Sequence, residues 1–265
     1  MFGKLLTYDF RSMFKQFAFV WPAALVLALV NHFTVNSFIT SASDVKQTVS
    51  GVAMLVYVAI LMAMFIIALV AVIQRFYKGL LGDEGYLMHT LPVKPWQLIA
   101  SKLVCAVVMT FISIAVALVS MFLIFPLRLA DIQEICRGLG SVFSHWNIYS
   151  THAVIAIFEI LLLIAVSFMF GYLELYLSMS IGHLFNKNRI AWSVVAFIVL
   201  NTFWDVVGAK TLQVMFDDLF IPAFRNMDTP VNHLALWAGI GAMLVPCAVC
   251  FAATEYILRN RLNLE

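Results

Sequence analysis

Six stretches of this 265-residue chain are apolar over about the length of a membrane-crossing helix. They are residues 17–34, 52–73, 102–127, 152–180, 190–207 and 234–258. Such runs leave little freedom of fold, because about 20 mostly apolar residues is the length of a membrane-spanning helix. Composition closes off the soluble alternatives. The chain is 63% hydrophobic and 11% charged, whereas soluble domains carry roughly 25% charged residues, so it has too few polar groups to coat a globule. Sixteen basic against fourteen acidic residues leave a net charge of +2, which is no footprint for nucleic acid. The expectation is an all-α integral membrane protein: six transmembrane helices forming a single domain over residues 1–265.

Basic residues orient the spans. With the N-terminus inside, eleven Lys and Arg fall on the inner side and five on the outer side, which places both termini in the cytoplasm. Residues 1–16 carry Phe2, Leu6, Phe10 and Met13 on one helical face, continued by Phe17, with Lys4, Arg11 and Lys15 opposite and Asp9 near the apolar edge. That pattern describes a helix lying in the membrane interface. Two outer connections, 128–139 and 211–220, repeat apolar residues at helical spacing and read as short amphipathic helices at the outer leaflet. Cys105, Cys247 and Cys250 lie within apolar runs, so the four cysteines make no disulfide framework.

The densest charge lies in the inner connection at 74–101, which contains RFYKGLLGDEGYLMHTLPVKPWQLIASK. Asp83 is placed to cap a short helical turn through His89, ended by the Leu91–Pro92 step, and Pro95 is placed to open a new helix. The turn holds Tyr86, Leu87 and Met88. Such a turn either docks a partner or folds against its own helix ends. The segment resembles the corresponding one in permeases of type-2 ATP-binding-cassette exporters, particularly the short six-span bacterial forms. The start of the chain, the SIGHLFNKNR run and the YILRNRLNLE ending are similar to the same group. The resemblance implies a coupling helix that docks on a separate ATPase, with Gly82, Asp83, Glu84, Gly85, Tyr86, Leu87, Thr90, Leu91 and Pro92 as the contact surface. It also implies a bacterial plasma-membrane location and a second permease chain, identical or homologous. ATP and Mg would be held by the ATPase subunit. The chain has no Gly-x-x-x-x-Gly-Lys-Ser/Thr loop of its own.

No catalytic or metal-binding set is legible: the six histidines are scattered and none forms a His-x-x-x-His pair. Glu159 and Glu174 in the fourth run differ by 15 positions, which leaves them roughly 60° apart on a helix. A carboxylate at a span centre costs about 2.5–3.5 kcal/mol on insertion scales. The pair is a candidate for the translocation path or a subunit interface, and satisfaction within the bundle is the competing explanation. The resemblance implies a non-enzymatic exporter subunit, with an amphipathic peptide, antibiotic or lipid-like compound as the expected substrate. A proton- or ion-coupled carrier using Glu159 and Glu174 is the alternative.

The charge bias generates a direct topology test. In a cysteine-free background, Ser43→Cys and Asn226→Cys should react with an impermeant maleimide on intact cells, and Lys187→Cys should not. Equal labelling of Lys187→Cys would break the six-span arrangement.

Overall fold

The computed structural model describes residues 2–39, 44–82, 93–124, 133, 137, 150–185, 187–214 and 230–260. The described residues form α1 (Phe2–Phe17), α2 (Val20–Ile39), α3 (Asp44–Phe76), a π-helical turn (Tyr77–Leu81), α4 (Pro95–Ile124), α5 (Ser150–Gly182), α6 (Arg189–Val214) and α7 (Pro230–Asn260). Among the described residues, six stretches are long and apolar enough to cross a membrane: Phe2–Phe33, Gly51–Leu81, Pro95–Ile124, Ile155–Gly182, Arg189–Ala209 and Leu236–Asn260. The chain is therefore an all-helical, multi-pass membrane protein. Large apolar side chains such as Leu55, Met62, Ile66, Ile190, Val194 and Ile198 lie exposed on the helix flanks, as lipid requires and water would not tolerate over so large an area.

The helices overrun the apolar stretches that predict them. α4 starts at Pro95, where the sequence places a helix start, ahead of the apolar run at 102. Pro opens a helix without losing a needed donor, and Gln97 returns its side-chain oxygen to the Lys94 amide at 3.3 Å, in the manner of a capping box. Hydropathy reports the thickness of lipid crossed, not the length of the helix. α6 likewise continues through Val214, past the end of the span at Ala209, so residues 211–214 of the expected 211–220 helix belong to α6. Residues 215–220 and most of 128–139 lie outside the described residues, as does the turn expected over 83–89.

Contacts divide the chain into two compact units, one of residues 1–75 with 104–137 and the other of 76–103 with 138–265. In the first unit, polar side chains pair between helices. Trp21 donates to the Ser113 hydroxyl at 3.1 Å, and Tyr57 and Ser120 share a hydrogen bond of 2.7 Å. Tyr57 also packs with Ala28 and Ile124 in the apolar core. The buried face of α1 is Leu5, Asp9, Met13 and Phe17: Met13 and Phe17 lie on it as expected, while Phe2, Leu6 and Phe10 of the expected face are half-buried. Asp9, expected near the apolar edge, belongs to the buried face. It sits at the centre of the buried face, fully enclosed, with Arg75 Nε donating to its Oδ1 at 2.9 Å and Arg75 Nη2 at 2.5 Å. The guanidinium also lies 4.9 Å from the centre of the Tyr8 ring.

In the second unit α5 packs against both α6 and α7. α7 contains Pro246, and the thiol of the next residue, Cys247, lies 3.8 Å from the Val166 carbonyl of α5. Cys247 and Cys250 are buried free thiols, in keeping with small-residue packing between spans.

Removing one member of a buried ion pair costs about 3–5 kcal/mol because the other charge is stranded. Arg75→Met should therefore lower the melting temperature of the detergent-solubilised protein markedly. The double variant Arg75→Met/Asp9→Asn should recover most of the loss. A double variant as unstable as the single one would show that Arg75 contributes packing, not charge compensation.

Candidate functional site

The described end of the expected coupling segment is Gly82, and its backbone N–H donates to the Tyr77 carbonyl five residues earlier at 2.8 Å. That longer-range bond defines the widened π turn closing the second span. Single π turns are frequent at functional sites. The turn is braced within its own unit. The ring of Phe76 stacks on Tyr176 of α5 at 4.0 Å and 8°, and Tyr77 meets His183 edge-on at 5.1 Å. On the α4 side, a Cβ at Gly79 would come within 2.8 Å of the Lys102 ammonium, so glycine there admits a buried lysine.

The α5–α6 connection completes this end of the unit. Gly182 permits a close approach: a Cβ would overlap the Ser193 hydroxyl and lie 2.6 Å from its backbone nitrogen. Asn188 takes the left-handed conformation, φ 57°, which asparagine tolerates better than most residues. Phe185 then stacks on Trp192 at 4.4 Å. Tyr77, Asn188, Arg189, Ile190 and Ala191 line a shallow, open cavity of about 640 Å³. The remaining expected contact residues (Asp83, Glu84, Gly85, Tyr86, Leu87, Thr90, Leu91 and Pro92) lie outside the described residues, while Phe76, Tyr77 and Lys102 hold the flanks from which that segment departs.

The two intramembrane glutamates have different surroundings. Glu159 is 1% exposed and pairs with His233 of α7, Oε2 to Nδ1 at 2.8 Å, while its Oε1 has no hydrogen-bond partner. Glu174 is 3% exposed, and its Oε1 also lacks a partner. It hydrogen-bonds the Asn201 side chain of α6 and lies within electrostatic reach of Asp205, one helical turn further along α6. Phe170, one turn before Glu174, meets Trp204 edge-on at 5.7 Å. The α5 positions 170 and 174 thus face the α6 positions 201, 204 and 205, which are spaced as one side of a helix.

Sequence reasoning found both glutamates and missed their partners. Asn201 and Asp205 carried a usable signal, two polar residues at i and i+4 inside an apolar run. His233 did not, because it sits in a polar stretch before the sixth span.

Compared with known protein families, curated proteins and solved structures, the chain shows no match. The functional reading rests on its own residues.

His183 stands at the end of α5, just beyond the apolar span. Burial first, and the Arg189 charge second, push its imidazole below the ordinary histidine range. The folded state therefore holds the ring neutral while the unfolded chain takes up a proton near pH 6.5. By linkage, this contribution is full above that pH and lost as pH falls below it. The melting temperature should drop between pH 7.5 and 5.5 more steeply in the wild type than in His183→Gln. Parallel profiles would show that His183 does not protonate differently on unfolding.

Proposed function

We propose that this chain is the membrane-spanning subunit of an ATP-driven exporter, resembling the type-2 ATP-binding-cassette permeases, in a bacterial plasma membrane with both termini cytoplasmic. The observation that carries the reading is the segment 79–92, GLLGDEGYLMHTLP, between the second and third spans. It concentrates charge, glycine and exposed-type apolar residues in a short connection, and the chain has no phosphate-binding loop of its own. In this reading α1 lies along the inner interface and Asp83–Pro92 docks on a cytoplasmic ATPase that holds ATP and Mg. Two permease chains, identical or homologous, carry two ATPase subunits.

The bracing of the segment's flanks supports a route for force. Displacing the docked segment moves the π turn. Phe76 stacks on Tyr176, so that displacement bears directly on α5 two residues from Glu174. Lys102 beside Gly79 ties the same turn to the base of α4. A mechanical coupling needs stiff contacts of this kind, because packed aromatic faces transmit displacement where loops absorb it.

The test is biochemical. The purified chain should neither bind nor hydrolyse ATP, and an affinity-tagged copy should co-purify with a protein that does both. Tyr86→Asp or Leu87→Asp should weaken the complex by burying an unpaired charge. ATP hydrolysis by this chain alone, or a complex unchanged in both variants, would overturn the reading.

A further inference from the structure

The second unit holds a constellation that coupling to an ATPase does not explain. Glu174 is buried in the fourth span with an unpartnered oxygen, although an acceptor in lipid ordinarily secures every bond it can. Across from it, Asn201 and Asp205 are exposed on α6, the fifth span. That helix has no buried residue in its most apolar 18-residue stretch, so the polar pair opens sideways. Phe170 and Trp204 stand beside it, their rings meeting edge-on. Two carboxylates, an amide and aromatic faces are the chemistry that receives a bulky organic cation: acid groups supply the counter-charge and ring faces supply cation–π attraction.

We propose that Glu174, Asn201 and Asp205, walled by Phe170 and Trp204, bind the positively charged group of an amphipathic substrate entering from the side of the fifth span. The substrate class is thereby a lipophilic cation, and the assignment rests on the transport reading above. Other occupants fit less well. A divalent metal needs more ligands, and among the described residues no three His, Cys, Asp or Glu side chains converge. Besides Asp205, the titratable group acting on Glu174 from the packed helices is Cys250 of α7, which offers no carboxylate or imidazole step for a proton relay. A second copy presenting the same helix would set Asp205 against its own image, and residues 190–209 contain no Lys or Arg to offset it.

The experiment uses the full chain alone in phosphatidylcholine nanodiscs, without ATP or ATPase. Binding of radiolabelled tetraphenylphosphonium is measured against empty discs, with tetraphenylborate as the matched anion. Saturable binding of the cation only is expected. Asp205→Asn, which leaves the buried core untouched, and Glu174→Gln should each weaken it roughly tenfold or more, while Glu255→Gln should bind as wild type. Trp204→Leu should weaken the cation and leave the anion background unchanged. Cation binding unaltered in Asp205→Asn and Glu174→Gln would overturn the proposal. So would equal binding of the anion, or displacement by sodium but not by choline at the same ionic strength. A change of oligomeric state in Asp205→Asn with the cation still bound would assign the face to a second copy instead. No ATPase takes part, so a failed co-purification leaves this result readable, and lost cation specificity leaves the exporter reading standing.

Discussion

A bilayer interior offers no hydrogen-bond partners, and each polar atom placed there has to find one within the protein. Much of this chain's architecture follows from that requirement. Small hydroxyls within the helices bond back to carbonyls of the preceding turn: Thr110 to Ala106, Ser180 to Tyr176, Thr202 to Ile198 and Thr254 to Cys250, all at 2.7–2.8 Å. They add polarity without demanding a neighbour. Larger polar groups reach across to another helix, as Trp21 does to Ser113 and Tyr57 to Ser120. With little hydrophobic drive between helices in lipid, such bonds and the fit of small residues give the bundle its specific pairing.

The ionisable groups expose the limits of self-satisfaction. Asp9 is matched by a cation with a fork of donors, and both donors reach the same carboxylate oxygen. Glu159 has one oxygen on His233, and Glu174 bonds Asn201, yet each keeps an oxygen without a partner. The contrast separates a structural role from a functional one. A group retained for stability is enclosed by complementary charge, as Asp9 is. Glu174 faces Asp205 rather than a cation, and it is the group to which the transport proposal gives a function.

How far the sequence carries the fold follows from the same physics. The spans were legible because hydropathy over about 20 residues is a collective property, and one misplaced residue does not disturb it. The face of α1 was not legible at single-residue precision. The apolar stripe gave Met13 and Phe17 correctly but put Phe2, Leu6 and Phe10 where Leu5 and Asp9 are buried, and the partner of Asp9, Arg75, lies 66 positions away. The extension of α6 into 211–214 escaped notice because helix continuation depends on backbone bonding, which polar residues support as well as apolar ones. For the candidate site, Glu174 was visible as an acid in a span. Its surroundings were not: which side of α6 faces position 174 is decided by packing between the helices, not by periodicity within one.

Tyr176 connects the two parts of the second unit that matter most to the transport reading. It is fully buried, its ring lies flat on Phe76, and it belongs to the same turn of α5 as Glu174. An effect on one end of such an arrangement reaches the other only if the helix between them moves as a body, because an α-helix does not stretch. Under the proposed mechanism, a pull on the π turn would shift Glu174 relative to Asn201 and Asp205 on α6, changing the spacing of the groups proposed to hold the positive charge. Affinity falls steeply with that spacing, since ion attraction in a low-dielectric site weakens with each ångström of separation. In an exporter, loss of affinity at the moment of opening is the step that lets substrate leave. The same geometry thus gives a reason for placing the acid beside the braced aromatic pair rather than at the far end of the span, where movement of the π turn would be absorbed along the way.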